Sequence, residues 1–278
     1  MDLSKKHTRR NILKTGIAAA TAATLPVPKV KAQRVQQTQQ YEVGEYVTKW
    51  VPKKPGELRM TAVCQNDPTL LKGLLPLSRI KNAFFWWAGD SREITPQMIR
   101  DTDLLLTFYS SWFTRSEETR ALIINEITKR GMGFMPVHNS FYEFTPYKEL
   151  GDLVGAYAIM HREIQPITIS KLNQNHPITK DIEPFIIPLD EQFGMYLVDP
   201  KDPNVTVLFH SQGLHDLHWT IQGIAAQRGK GRIVTMTPGH FEQTWNTPCY
   251  QEIMWRAAHW ALNLPIEPFY GNLNSNMW

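Results

Sequence analysis

The stretch from Arg228 to Tyr250 constrains the fold of this chain more than any other segment. In it a Gly-Lys-Gly turn leads into the apolar run RIVTMT, and PGHFEQTWNTPCY follows. A short run rich in β-branched residues, started by a glycine turn and ended by Pro238 and Gly239, is typical of a buried strand. His240 then lies just past the carboxyl end of that strand, where open α/β sheets bind their ligands. The segment therefore predicts a sheet edge that presents His240.

A second histidine follows a second strand in the same way, because the run GMGFMPV ends at His138. The segment before it reads as a helix that begins after Ser116 and ends before Gly131, with acidic residues first and basic residues last. The buried run DLLLTFY precedes that helix. Strand, helix and strand in this order form a βαβ unit. We therefore predict an α/β fold with a mainly parallel sheet and helices on both faces.

Other segments extend this prediction. Thr95 and Pro96 begin a short helix that runs to Arg100. The segment from Pro248 to Leu262 reads as a final helix. Further strands are predicted at LRMTAVC, PITISKL, EPFIIPL and VTVLFH. The Gly-Lys-Gly-Arg sequence precedes a strand rather than a helix, so we interpret it as a β-turn and not as a phosphate-binding loop.

Residues 1–32 have the composition of an export signal. They contain Arg9-Arg10 followed by Ile-Leu-Lys, the apolar run TGIAAATAATLPV, and the ending Val30-Lys31-Ala32. Paired arginines before a short apolar core are typical of twin-arginine signals. The core is shorter than the roughly 20 apolar residues of a spanning helix. We expect a periplasmic or otherwise exported protein with no integral membrane span in the mature chain; a membrane anchor or a frayed basic tail is the alternative.

The signal also accounts for the positive charge of the chain. It holds seven of the 30 Lys and Arg residues and one of the 26 Asp and Glu residues, so the remainder has 23 bases against 25 acids and a net charge of −2. This charge gives no reason to expect a nucleic-acid partner.

The rest of the chain divides by composition into three parts. Residues 33–57 are Gln-rich and interrupted by proline, which predicts a polar linker or arm. Residues 58–264 form one α/β domain large enough to bury a substantial core, and residues 265–278 form a C-terminal tail. Cys64 and Cys249 are far apart, and two cysteines do not define a disulfide framework. We interpret them as buried thiols.

The order of several motifs resembles one known family. These motifs are GMGFMPVH, YAIMH, NHPITKDI, PLDEQFGMY and RGKGRIVTMTPGHFEQTWNTPCYQEIMWRAAHWAL. Together they resemble the ThuA-like (trehalose-utilisation) family over roughly residues 58–264. The resemblance implies a flavodoxin-like, class I glutamine amidotransferase-like fold with a doubly wound sheet, and a role in carbohydrate metabolism.

The same resemblance argues against glutaminase activity. The amidotransferase relatives place a nucleophilic cysteine at the strand-to-helix turn that His138 occupies in this chain. Neither Cys64 nor Cys249 lies at that turn, so the chain is not expected to be a glutaminase. Ser140 is the alternative nucleophile, although a turn that exposes one residue hides its neighbours.

The candidate site consists of titratable residues at strand ends. His138, His240 and Glu191 are the predicted catalytic groups, acting as general acid and base or binding a divalent metal such as zinc. Their spacing is not that of a metal motif such as H-E-x-x-H, so their convergence depends on the fold. The predicted substrate-binding residues are Asp90, His161, Trp245 and His218.

Several of these residues also have a purely structural interpretation. His138 and His240 could cap strand ends, Trp245 could pack under the final helix, and Asp190 could be a turn or cap residue. His176, which precedes a proline, is interpreted as a turn residue. His215 and His218 are interpreted as loop residues near the cleft.

These observations lead to one expected function and two alternatives. We expect a hydrolase or isomerase that acts on a glycoside or oxidised sugar, with a small carbohydrate as its ligand. A retaining glycosidase needs two carboxylates about 5 Å apart, and the sequence does not identify such a pair. The first alternative is a non-catalytic sugar-binding protein of the same fold. The second is a structural partner that makes contacts through the Gln-rich arm and the terminal NLNSNMW.

Overall fold

A computed structural model describes residues 46–47, 50–63, 73–88, 91–108, 116–142, 144–266 and 269. The strands of this part of the chain are β1 Tyr46–Val47, β2 Leu58–Val63, β3 Ala83–Ala88, β4 Leu104–Thr107, β5 Gly133–Pro136, β6 Ala156–His161, β7 Gln165–Ser170, β8 Phe185–Asp190, β9 Phe193–Leu197, β10 Val205–Gly213, β11 Trp219–Arg228 and β12 Gly231–Met236. The α-helices are α1 Pro96–Asp101, α2 Glu117–Asn125, α3 Asn139–Tyr142, α4 Lys148–Val154, α5 Glu242–Trp245 and α6 Pro248–Ala261. Shorter 3₁₀ segments span Leu75–Arg79 and Ser91–Glu93.

Half of the sheet is parallel, in the order β1-β3-β2-β4-β5-β12. The predicted βαβ unit is confirmed, since β4 and β5 pair in parallel with Leu104 opposite Gly133. Four buried residues in succession make up β4, as expected for a strand covered on both faces. This half brings the ends of β5 and β12 to one edge of the sheet, which we call the carboxyl edge.

The crossover helix α2 follows its sequence signals closely. The Ser116 hydroxyl accepts a hydrogen bond from the backbone N–H of Thr119 and so caps the first turn. At the other end Gly131 adopts a left-handed conformation, with φ of 96°. The last turn, Glu126–Arg130, widens into a π-helix before that glycine. Helix α1 likewise begins as predicted, with the Thr95 side chain accepting from Met98 N–H.

The other half of the sheet is antiparallel, so the sheet is mixed rather than mainly parallel. Strands β12, β11, β10, β7 and β8 follow one another with alternating direction, and β9 joins β6 to β11. A tight turn explains this alternation. Gly229, with φ of 56°, and Lys230 connect Arg228 to its partner Gly231, and so short a link joins only antiparallel neighbours. The predicted β-turn is confirmed, whereas β11 was not predicted.

Helices cover both faces of the sheet, as predicted. Alternating β4 side chains point to opposite faces, where Leu106 packs in the core beneath α6 and Leu105 in the core beneath α1, α2 and α4. Within the described residues no helix has the length and apolar character that a membrane crossing requires.

Part of the predicted arm, residues 33–57, is attached to this body. Strand β1 pairs in parallel with β3, on the side of β3 opposite β2. The buried guanidinium of Arg59 donates to the Val51 carbonyl at 2.8 Å, and Lys53 pairs with Asp103 at 2.5 Å. These contacts explain why the end of the segment is ordered although its composition is polar. The proposed signal, residues 1–32, lies outside the described residues.

Candidate functional site

Three side chains from distant parts of the chain meet at the carboxyl edge. His138 follows β5, Glu191 follows β8, and His240 follows β12. His138 Nε2 lies 3.2 Å from His240 Nδ1, and each of these nitrogens faces Glu191 Oε2, at 3.6 Å and 3.2 Å respectively. The structure thus brings together the three residues predicted as catalytic or metal-binding groups, and their ligand atoms lie within 4.8 Å of one another.

The backbone holds His138 in a fixed orientation. Its φ of 56° is left-handed, a conformation that histidine adopts more readily than most residues. Its backbone N–H donates to the Met236 carbonyl at 2.8 Å, which attaches the turn to the end of β12. The side chain is 1% exposed. The turn therefore presents one imidazole at a defined place in the protein interior.

The protonation of His138 follows from its surroundings. Nδ1 lies 2.9 Å from the Thr237 carbonyl, which can only accept, so Nδ1 carries the proton and Nε2 carries a lone pair. Burial lowers the pKa of His138 to about 3, although the Thr237 hydrogen bond opposes this shift. His138 is therefore neutral at pH 7, and its lone pair points at His240 and Glu191.

Asp190 holds two of the three site residues in place. Its buried carboxylate accepts backbone hydrogen bonds from Glu191 at 2.7 Å, Gly239 at 2.8 Å and His240 at 3.1 Å, and a further one from the Thr244 hydroxyl. Burial raises the pKa of Asp190 to about 6 despite these donors. The interpretation of Asp190 as a turn or cap residue is close to what the structure shows. No sequence pattern indicated that Asp190 accepts hydrogen bonds from Gly239 and His240, which lie about 50 positions away.

His161 lies beside the cluster, and His218 lies further out. His161 Nδ1 is 3.7 Å from Glu191 Oε1, and the side chain is half-exposed. Both His138 and His161 pack against the Phe193 ring, with centroid distances of 5.2 and 5.5 Å. His218 Nδ1 lies 3.1 Å from a guanidinium nitrogen of Arg162, the residue next to His161 in the chain. The substrate-binding role predicted for His161 and His218 stays a prediction.

The family model for ThuA, described as trehalose utilisation, matches residues 69–261. The chain belongs to the ThuA family. Two ThuA-like proteins of known structure are similar to it. One, from Bacteroides uniformis, is 14% identical with a TM-score of 0.59, over 78% of this chain and 95% of its own. The other, from Parabacteroides merdae, is 14% identical with a TM-score of 0.59, over 76% and 92%.

A glutamine amidotransferase from Thermotoga maritima is a more distant match to this ThuA chain, at 15% identity and a TM-score of 0.44, over 66% of this chain and 76% of its own. A search among curated proteins gives no match. The family match and the two ThuA-like structures confirm the predicted family and the predicted α/β class, and these structures share the fold at low sequence identity.

No cysteine is near the cluster in the described part of this ThuA protein. Cys249 lies at the start of α6 as a free thiol of intermediate exposure, and Cys64 lies outside the described residues. Ser140 is buried, and its hydroxyl donates to Thr107 at 2.8 Å. The Ser140 hydroxyl therefore points into the core rather than into the site, as expected if the turn exposes His138 and buries its neighbours.

The predicted substrate-binding role of Trp245 is wrong, and the structure agrees with the alternative, in which this side chain packs in the core. Trp245 is 1% exposed, its indole N–H donates to the Gly239 carbonyl at 3.0 Å, and its ring packs edge-on against Phe108 and Tyr250. No ring face is left for a ligand, and the side chain instead supports the turn that carries His240. Asp90, the remaining predicted substrate-binding residue, lies outside the described residues.

His176 is a turn residue in this ThuA protein, as interpreted from the sequence. Its Nδ1 accepts from the Ile178 backbone N–H at 3.3 Å, and its ring packs against Trp260. Burial lowers the pKa of His176 to about 4, and the positive charge of Arg232, at the opposite end of β12 from His240, lowers it further. His176 is therefore a partly buried histidine outside the cluster and serves as a control in the experiments below.

Proposed function

We propose that this ThuA-family protein acts on a carbohydrate, as a hydrolase or isomerase of a glycoside or oxidised sugar, with His138, His240 and Glu191 acting as general acid and base or as metal ligands. The family description, trehalose utilisation, supports a sugar ligand. The observation that carries the proposal is the triangle of two imidazole nitrogens and one carboxylate oxygen, with sides of 3.2 to 3.6 Å. Clusters of this kind at a sheet's carboxyl edge are suited to moving protons at a bound substrate.

The state of each group supports histidine-based chemistry. His138 Nε2 offers a lone pair, and His161 is a half-exposed histidine beside Glu191 that reaches solvent. Asp190, the neighbouring carboxylate, is occupied by four donors. Among the described residues, the cluster therefore lacks a free second carboxylate of the kind that retaining glycosidases use. Proton transfer next to a sugar carbonyl fits these groups better than double displacement at an acetal.

A turnover screen tests the proposal. Trehalose and keto-disaccharides would be assayed with the parent protein and with Glu191→Gln, His240→Ala and the control His176→Ala. We expect kcat to fall by about 10²- to 10⁴-fold in the two site variants, because general acid–base groups contribute effects of that size. The control should keep the kcat of the parent.

Two results would contradict the proposal that this cluster catalyses a reaction on a sugar. Binding of the sugars without turnover by the parent would identify the non-catalytic sugar-binding protein instead. Unchanged kcat in both site variants would place the reaction elsewhere in the molecule.

We also propose that the protein is exported through the twin-arginine pathway to the periplasm. The support is the sequence of residues 1–32, with Arg9-Arg10 ahead of a short apolar run. Replacing both arginines by lysine should leave the precursor in the cytoplasm, as measured by fractionation and intact mass. Periplasmic protein of unchanged amount in that variant would contradict the route.

A further inference from the structure

The three site residues form an electron-rich triangle. The Thr237 carbonyl keeps the only proton of neutral His138 on Nδ1, so Nε2 has a lone pair. Glu191 contributes a carboxylate oxygen. His240 Nδ1, which lies 3.2 Å from each of these two acceptors, carries at most one hydrogen to donate to them. At least one side of the triangle then sets a lone pair against a lone pair, and a positive charge at its centre would relieve that repulsion.

The size of the triangle matches a metal ion. Zinc binds histidine nitrogen and carboxylate oxygen at about 2.0 to 2.2 Å, so two ligand atoms of a tetrahedral site are separated by about 3.3 to 3.5 Å. The three separations in this structure are 3.2, 3.2 and 3.6 Å. The atoms therefore already stand close to the spacing of three corners of a zinc tetrahedron.

The chemistry of the donors narrows the kind of metal. Two imidazoles and one carboxylate are a donor set that catalytic zinc sites use, with the fourth position open, whereas Mg²⁺ and Ca²⁺ prefer oxygen donors. The outer contacts of the site are also those expected around a metal. The Thr237 carbonyl orients the His138 ring, and Asp190 fixes the backbone of both Glu191 and His240.

We propose that His138 Nε2, His240 Nδ1 and Glu191 Oε2 bind one zinc-class divalent cation, which leaves the fourth position of a tetrahedral site open. Such an ion acts as a Lewis acid on an oxygen that reaches it. The inference rests on the proposed function only for the statement that this oxygen belongs to a sugar. With the three ligands engaged, we assign proton transfer to His161, the half-exposed histidine that lies beside Glu191 among the described residues.

Zinc binding to the metal-stripped protein tests the site. Zn²⁺ alone is titrated by calorimetry into the parent, Glu191→Gln, His240→Ala and His138→Asn, and bound metal is counted by elemental analysis. Asparagine is chosen at position 138 because it tolerates a left-handed backbone. We expect one equivalent in the parent and an affinity at least about 100-fold lower in each site variant, since even outer-shell changes cost 10- to 100-fold. His176→Ala should bind zinc as the parent does.

The outcomes separate this inference from the proposed function. A folded parent that binds no Zn²⁺, or site variants that keep parental affinity, would overturn the metal site. Circular dichroism and thermal unfolding verify the fold of each variant; His240→Ala, in which the replaced ring is one-third exposed, keeps the test valid if the buried His138 tolerates no change. Zinc binding without sugar turnover would leave the site standing and remove the proposed function. Sugar turnover by a parent that binds no Zn²⁺ would do the reverse.

Discussion

Asp190→Ala is expected to destabilise the folded protein by about 4 kcal/mol or more, which is at least about 1 kcal/mol for each of four donors left unpaired, and to disturb the His138–His240–Glu191 cluster. The substitution removes the acceptor of four hydrogen bonds in a fully buried place. Each buried donor left without a partner costs about 1 to 3 kcal/mol. Because two of these donors are the backbone N–H groups of Glu191 and His240, the loss also frees both residues to move. Urea unfolding measures the first effect, and the imidazole NMR signals of His138 and His240 report the second.

The matched control is Asp152→Ala, which removes an exposed carboxylate paired with Lys148 at 2.5 Å. An exposed pair of this kind contributes only about 0.3 to 0.5 kcal/mol. If Asp190→Ala cost no more than this control and left the imidazole signals unchanged, Asp190 would not be the residue that positions the site.

The cost of Asp190→Ala should also depend on pH, when measured in metal-free protein. Burial raises the pKa of Asp190 from 3.8 to about 6 in the folded state. Between these two values the folded protein holds a proton that the unfolded chain releases, so the contribution of Asp190 is largest in acid and falls as the pH rises through 6. The difference between parent and variant should therefore be greater at pH 4.5 than at pH 7.5.

Trp245→Ala is expected to cost about 3 to 5 kcal/mol, the range found for removing a large aromatic side chain from a core. Trp245 is 1% exposed and packs against Phe108 and Tyr250, and its indole N–H donates a hydrogen bond to the Gly239 carbonyl. The variant should unfold at a much lower urea concentration than the parent.

Trp219→Ala provides the comparison, because Trp219 is 43% exposed and has Lys171 over its ring. We expect it to change the free energy of unfolding by less than about 1 kcal/mol. Equal effects of the two substitutions would contradict the distinction between a core tryptophan and a surface tryptophan.

The strands that carry His138 and His240 could be predicted from the sequence, for a physical reason. Buried runs, caps and glycine turns are local signals, and they located the strands that end near His138 and His240. Because carboxyl ends of neighbouring parallel strands share an edge, the two histidines could be expected to meet. Glu191 was included through the family resemblance, and the structure places it between them.

What the sequence did not reveal depends on contacts between distant residues. Trp245 lies in a polar segment close to His240, and only the packed structure shows that Phe108 and Tyr250 enclose it. Strand β11 was missed because its sequence, WTIQGIAAQR, is rich in residues that do not favour strands by themselves. Its pairing with β10 and β12 overrides that weak preference and makes half of the sheet antiparallel.

The mixed sheet also has a consequence for the order in which the molecule folds. Strands β10, β11 and β12 are neighbours in sequence joined by short links, so this meander closes small loops and can form early. Strand β12 joins the parallel half through Ile233 and Phe134, which are about a hundred positions apart. Since His138 stands on one side of that seam and His240 on the other, the cluster can assemble only when the slow, long-range step is complete. A spectroscopic signal from the cluster would therefore mark the end of folding rather than its beginning.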